Sequence, residues 1–125
     1  PGHAPEVVRF IDYIPQESLF WRRRILEKAG GRLDASLQFA LDWDLILRFM
    51  EAGAVFRHLP ALFGVFRTHG EQKTRAQFAA TGAREMAEVR SRYGSARAGA
   101  LERARLHWQF LSRHREADRQ TGYAT

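Results

Sequence analysis

The chain has 125 residues, a formal net charge of +6 at pH 7 and a sequence pI of about 10.7. Apolar residues make up 45% of it, which excludes an intrinsically disordered protein, and the length suits one domain. The sequence contains no Cys, which excludes disulfides, iron–sulfur clusters, thiolate zinc sites and cysteine nucleophiles.

The first residues, Pro1-Gly2-His3-Ala4-Pro5, have neither an initiating Met nor the basic and apolar regions of a signal peptide. No later stretch reaches the roughly 18 uninterrupted apolar residues that a membrane span needs. We therefore expect a piece of a longer protein. Since the lack of Cys fits a reducing compartment, we expect it to be cytoplasmic.

The first predicted elements are a strand and a helix. The segment 17–21 is short and aromatic and follows Pro15, which predicts a buried strand or a strand-like entry. Residues 22–29 are good helix formers, and Gly30-Gly31 is a strong C-terminal stop. A loop over 32–41 follows.

Residues 42–52 predict a second helix, which Gly53 closes. Asp42 is its natural N-cap, and Asp44 complements the positive end of the helix dipole. Two further strands are predicted over 54–58 and 62–67, before a polar loop over 68–74.

The rest of the chain predicts two helices, 75–93 and 96–116, separated by Gly94-Ser95, and then a frayed tail over 118–125. The helix predicted over 96–116 has an imperfect apolar face made of Leu101, Leu106, Trp108 and Leu111. Three strands and several helices predict a mixed α/β class. Since three strands are few for an independent sheet, we expect unpaired edges and a chain able to form a homodimer.

The basic charge is concentrated in the second half of the sequence. Residues 1–70 have a net charge of +1 and residues 71–125 a net charge of +5. Such asymmetry can indicate a nucleic-acid or membrane-surface partner. The chain lacks a helix-turn-helix signature and an exposed aromatic run that would stack on bases, which argues against nucleic acid.

The tightest polar cluster is Asp42-Trp43-Asp44, at the start of a predicted helix. Side chains two residues apart on a helix diverge by about 200°, so these carboxylates cannot easily chelate one ion. One of them can face a pocket while the other is anchored in the fold. Asp44 and Arg48 are spaced for an i, i+4 ion pair. Asp42 is either a helix cap alone or a catalytic carboxylate.

A second candidate cluster lies in the polar loop. The imidazole of His69 suits a divalent metal or a phosphate, and Arg67, Gln72 and Lys73 add donors that suit a diphosphate. The alternative is a solvated loop with no ligand. Trp21, followed by three Arg residues, is similarly either an anion contact or a buried ring before a solvated helical turn.

Four segments in order carry a resemblance to a known family. They are Tyr13–Arg23, Gly30–Leu37, Phe39–Arg48 and Phe66–Thr74. Together they resemble the C-terminal half of family 2 glycosyltransferases, which are inverting enzymes with the A-type nucleotide-sugar transferase fold. The resemblance implies an α/β acceptor-side half over 1–74, with few strands, and a basic helical C-terminal extension over 75–125.

The resemblance also implies roles for individual residues. Asp42 matches the general base, although Leu41 stands where the family usually has Glu. Asp44 and Arg48 match supporting positions on the following helix, and the loop from Gly30 to Phe39 matches the acceptor side. Substrate binding is expected of Trp21, Arg67, Gln72 and Lys73, and contact with a divalent metal (Mg or Mn) or the donor diphosphate is expected of His69.

The implied function is transfer of a sugar from a nucleotide-diphosphate donor to a sugar or lipid-linked acceptor, in polysaccharide or glycoconjugate synthesis. Because the nucleotide-binding half is missing from these 125 residues, we expect the isolated chain to be inactive. The alternatives are a basic, non-catalytic module that binds nucleic acid or an anionic membrane through residues 75–119, and a non-catalytic interaction domain derived from the transferase fold. Peripheral membrane contact is compatible with either an enzyme or a module.

Overall fold

A computed structural model describes residues 5–59, 61, 63–64, 78–94 and 99–121. Within these ranges all regular structure is helical, and the predicted α/β class is wrong. The helices are α1 (Pro5–Val8), α2 (Arg23–Lys28), α3 (Leu41–Glu51), α4 (Ala83–Arg92) and α5 (Ala100–Thr121). A 3₁₀-helical turn occupies Gln16–Ser18, and a π-helical turn at Phe78–Gly82 leads into α4.

The segments predicted as strands form none among the described residues. The first begins inside the 3₁₀-helical turn and continues extended to Trp21, with the Phe20 ring 73% exposed. Residues 54–59 are irregular and join no ladder, and of 62–67 only residues 63 and 64 are described, outside any strand. Aromatic and β-branched residues favour a strand only where a neighbouring strand accepts their backbone hydrogen bonds and covers one face.

The helix predicted over 22–29 and its stop are confirmed. α2 ends in a Schellman motif, in which the Gly31 N–H donates to the Leu26 carbonyl at 2.8 Å and the Gly30 N–H to the Glu27 carbonyl at 3.2 Å. Gly30 and Gly31 both have positive φ, 100° and 71°, which glycine adopts without a Cβ clash. The loop that follows is also present as predicted.

The helix predicted over 42–52 is confirmed within one residue at each end, but its predicted N-cap is wrong. α3 begins at Leu41, after the cap residue Ala40, which has no side-chain oxygen to offer. Asp42 is therefore the second helical residue, and its Oδ1 accepts the Trp43 N–H at 2.9 Å. At the other end Gly53, with φ of 79°, closes α3 as expected.

Glu85 of α4 binds the backbone that precedes α3. Its buried carboxylate accepts the N–H groups of Phe39 at 2.8 Å, Gln38 at 3.0 Å and Ala40 at 3.2 Å. Burial alone would raise the pKa of Glu85, but these backbone donors outweigh it and hold the pKa below its usual value. A side chain 45 residues away in sequence from Ala40 thus takes over the role of a local cap.

The core forms where α3 meets α1 and α4. Trp43, Ile46 and Leu47 of α3 are fully buried, together with Val8 of α1 and Val89 of α4. The Trp43 Nε1 donates to the Val8 carbonyl at 2.6 Å, so its polar atom is satisfied inside the core. Each large apolar side chain buried here contributes about 1.5–3 kcal/mol to stability.

α5 packs on α1 through one face only. Leu106 is buried against Val7, and the Phe110 ring lies 5.1 Å from the Tyr13 ring between centroids. The prediction that four residues share one apolar face is wrong, because Leu106 is buried while Leu101, Trp108 and Leu111 are exposed. α5 also begins four residues later than predicted and continues to Thr121, through part of the predicted frayed tail.

Candidate functional site

The two aspartates at the start of α3 have different environments. Asp44 is 2% exposed; its Oδ2 accepts Arg48 Nε at 2.9 Å, and its Oδ1 accepts the Tyr93 hydroxyl at 2.9 Å. Arg92 Nη1 lies 3.4 Å from the same Oδ1. The predicted ion pair between Asp44 and Arg48 is therefore present, and both oxygens of Asp44 are occupied by the protein itself.

Tyr93 extends this buried polar cluster from the end of α4. Burial first, and then the hydrogen bond to the negatively charged Asp44, raise the pKa of Tyr93 well above its usual value. The Tyr93 hydroxyl donates this hydrogen bond to Asp44 Oδ1. The arrangement anchors α4 to α3.

Arg48 ties the loop after α2 to α3. Its Nη1 donates to the Arg32 carbonyl at 2.7 Å and to the Ala29 carbonyl at 3.0 Å. Its Nη2 is buried and has no hydrogen-bond partner. The side chain that the sequence predicts to support the site thus fixes the position of a loop relative to the first turn of α3.

Asp34, in that loop, joins the same network. Its Oδ1 accepts the Ser36 hydroxyl at 2.5 Å, and its Oδ2 accepts Arg92 Nη1 at 2.7 Å. These bonds, the one from Ser36 first and the one from Arg92 second, lower the pKa of Asp34 to about 2. Asp34 is therefore ionised across the physiological range and holds the loop against α4.

A cleft of about 630 Å³ lies beside this network. The loop after α2, which matches the acceptor side of the family, forms one wall of it with Gly30, Leu33 and Asp34. The buried polar cluster forms another wall with Asp44, Arg48 and Tyr93. Asp42 does not line the cleft. On a helix, Asp42 points about 200° away from Asp44, so it faces another side of α3.

Asp42 interacts electrostatically with a second carboxyl, that of Asp12. Asp42 is partly buried. Burial first, and then the negative charge of Asp42, raise the pKa of Asp12 to about 7. Asp12 lies outside the four segments that carry the family resemblance, so sequence reasoning missed it. The available signal was a carboxylate inside an apolar run, Phe10-Ile11-Asp12-Tyr13-Ile14, where acidic side chains are rarely found.

Trp21 lies away from Asp42. Its ring packs against the Phe49 ring at 5.6 Å between centroids, and it is 41% exposed rather than buried. Phe49 is seven residues after Asp42, which is about 10 Å along the helix axis. The structure does not bring Trp21 to the Asp12–Asp42 pair.

The remaining predicted site residues, Arg67, His69, Gln72 and Lys73, lie outside the described residues. In the part of the chain that the structure describes, no three His, Asp or Glu side chains form a group that could hold a metal ion. The predicted Mg or Mn therefore stays a prediction that depends on His69. The described helices also include none long and apolar enough to cross a membrane.

No protein-family model matches this sequence, and no match was found among curated proteins or among solved structures. The family resemblance consequently depends on the four sequence segments alone. Three of these, from Tyr13 to Arg48, lie within the described residues.

Proposed function

We propose that this chain supplies the acceptor-side part of an inverting glycosyltransferase, in which Asp42 accepts the proton of the attacking acceptor hydroxyl. The observation that supports this is the unequal placement of the two aspartates: Asp44 is enclosed by protein partners, whereas Asp42 is partly exposed beside Asp12. The proposal depends on this site and on the sequence segments, and it makes no use of an α/β fold.

The chemistry required of Asp42 is general-base catalysis. As the acceptor oxygen bonds to the anomeric carbon, the bond to the diphosphate breaks and the hydroxyl proton passes to a carboxylate oxygen of Asp42. One of those oxygens, Oδ1, already accepts the Trp43 N–H at 2.9 Å, which fixes the orientation of the group. Oδ2 is then the oxygen that meets the acceptor.

Asp12 is the titratable group that interacts with Asp42. Burial first, and then the charge of Asp42, raise the pKa of Asp12 to about 7, so Asp12 is the carboxyl that retains a proton near neutral pH. Asp12 thereby takes the place of the acidic neighbour that Leu41 fails to provide.

The leaving diphosphate would be bound elsewhere. Arg67, Gln72 and Lys73 carry the donors that suit it, and His69 is the candidate metal contact, as the sequence predicts. The described residues offer no group of side chains that fits a metal ion. A nucleotide-diphosphate donor, a sugar or lipid-linked acceptor and a cytoplasmic location belong to the same proposal.

The test uses a chain extended upstream of Pro1 together with UDP-, GDP- and dTDP-sugars, and measures release of the nucleoside diphosphate. We expect Asp42→Asn to lower turnover by about 10²- to 10⁴-fold, the usual contribution of a general base, with unchanged helical content. Glu51→Gln, which removes an exposed carboxylate from the other end of α3, is the matched control and should be fully active.

Near-normal turnover of Asp42→Asn would show that Asp42 is not the base. The isolated chain of 125 residues should transfer no sugar. Measurable transfer by it would contradict the proposal that it is only the acceptor-side part.

A further inference from the structure

The outer face of α5 is an apolar stripe without a partner. We define this outer face as Leu101, Trp108 and Leu111 with Arg105, at the side of the stripe, and Arg115, one turn after Leu111 at its C-terminal end. At about 100° per residue, the three apolar side chains fall within a sector of about 80°, opposite Leu106 and Phe110, which face α1. Leu101 is 88% exposed and Trp108 71%.

The exposure of these side chains is unusual for a helix that already buries another face. Single exposed apolar residues are common, but a Trp aligned with two Leu on one helix face indicates a contact surface. None of the described residues covers it. The two apolar faces of α5 therefore serve different contacts: one is intramolecular, with α1, and one is open.

The charges beside the stripe indicate what covers it. Arg105 and Arg115 are exposed, and neither forms an ion pair with any residue in the described ranges. Residues 71–125 have a net charge of +5. A second copy of this face would bring like charges together, whereas an anionic surface complements them.

The side-chain types favour lipid over nucleic acid. Transfer of Leu side chains from water to the acyl boundary lowers their free energy, and Trp is suited to the interface between headgroups and acyl chains. Contact with bases would require several stacking aromatic rings, and the outer face has only one. Arg105 lies at the side of the stripe and Arg115 at its C-terminal end, and from these positions the long side chains can extend to lipid phosphates.

We propose that the outer face of α5 docks on an anionic membrane surface, with Leu101, Trp108 and Leu111 in the acyl boundary and Arg105 and Arg115 on the headgroup phosphates. α5 lies in the interface plane and does not span the bilayer. This binding goes beyond sugar transfer and does not depend on it. An acceptor-side enzyme part held at a membrane would meet lipid-linked acceptors there.

The experiment is co-sedimentation of the 125-residue chain with vesicles of phosphatidylcholine containing about 30% phosphatidylserine, and with vesicles of phosphatidylcholine alone. We expect binding to the anionic vesicles that weakens as salt is raised. Arg105→Gln with Arg115→Gln should lower the affinity by about fivefold per Arg. Trp108→Ala should lower it by at least about fivefold.

The matched controls are exposed residues elsewhere in the molecule. Val55→Ala removes an exposed apolar side chain, and Arg24→Gln with Arg57→Gln removes two exposed positive charges of the first half. Both controls should bind as the original chain does. Circular dichroism of each variant, which should be unchanged because all substituted side chains are exposed, establishes that the fold is retained.

Three results would overturn the proposal. The first is no binding to anionic vesicles. The second is binding that the control variants weaken as much as the α5 variants. The third is a dimer in sedimentation equilibrium that Trp108→Ala dissociates, which would assign the stripe to a second copy of the chain. If the first result is accompanied by binding to duplex DNA, the stripe is assigned to nucleic acid.

Discussion

Asp42 and Asp44 are separated by one residue, yet only Asp44 is enclosed by Arg48, Arg92 and Tyr93. Their divergence follows from the 100° step of an α-helix and could be predicted from the sequence. The pairing of Asp44 with Arg48 could also be predicted from the sequence. The hydrogen bond from Tyr93 could not be predicted, because Tyr93 lies 49 residues further along the chain and reaches Asp44 only through the packing of α4.

Asp44 should therefore be a major stabilising residue. Asp44→Asn leaves the largely buried Arg48 guanidinium without its main counter-charge, and we expect it to lower the free energy of unfolding by about 3 kcal/mol. Urea unfolding followed by circular dichroism measures this. Glu51→Gln, which removes a half-exposed carboxylate paired with the partly exposed Arg9, should stay within about 1 kcal/mol of the original chain. Equal stability of the two variants would contradict the role given to Asp44.

Asp12 should make the protein less stable at high pH. Its pKa is about 7 in the folded protein against an ordinary 3.8, so folding favours its protonated form. That stabilisation is complete below pH 4 and is lost as the pH rises through 7. The free energy of unfolding of Asp12→Asn, relative to that of the original chain, should rise by about 1–2 kcal/mol between pH 4.5 and pH 8. This range allows for solvent screening of a partly exposed group.

Urea unfolding at the two pH values tests this expectation. A variant and an original chain with the same dependence on pH would show that Asp12 has an ordinary pKa.

The helices are the elements that local sequence specifies best. α2 and α3 each end at a glycine of positive φ, and both ends were predictable because few other residues adopt that conformation. The strands were not predictable from the aromatic segments, because a strand depends on a partner that local sequence does not reveal. α5 was assigned correctly as a helix, but which of its apolar residues face α1 depends on packing.

The C-terminal stop of α2 gives a prediction about glycine. Gly30 has φ of 100°, and a Cβ there would meet only Arg48 Nη1, at 3.8 Å. The cost of Gly30→Ala is therefore backbone strain, about 1–2 kcal/mol of unfolding free energy. Gly99→Ala is the matched control, since a Cβ there meets nothing within 4 Å and its φ is not positive. Thermal unfolding should show a lower stability for Gly30→Ala and an unchanged stability for Gly99→Ala.

The entry to α3 gives a prediction about Glu85. Glu85→Gln weakens the acceptor for three backbone N–H groups, and we expect a loss of about 1–3 kcal/mol at pH 7. Because the pKa of Glu85 is lowered by folding, its contribution is present above the ordinary glutamate pKa and is lost as the pH falls through the folded value. The difference between variant and original chain should shrink in acid.

Glu102→Gln provides the comparison for that measurement, since Glu102 is exposed on α5. An equal effect of the two substitutions at pH 7 would show that the carboxylate of Glu85 does not cap α3.

For the molecule as a whole, the decisive contacts join distant parts of the chain. Glu85 bonds the backbone of residues 38–40, Tyr93 bonds Asp44, and Trp43 bonds the Val8 carbonyl. Sequence periodicity predicts which residues are helical but does not say which helix faces which. For this reason the helical elements are largely predictable from the sequence. The predicted fold class is wrong, and the interaction of Asp12 with Asp42 is not predictable from the sequence.

The central claim is that Asp42 and Asp12 form one partly buried acidic pair. An NMR titration of the aspartate side-chain carboxyl carbons tests it in the 125-residue chain. Asp12 should titrate near pH 7, and Asp42→Asn should lower its pKa without returning it to 3.8, because burial is the larger cause and remains. Glu51→Gln should leave it unchanged. Titration of Asp12 near pH 4 in all three proteins would contradict the claim.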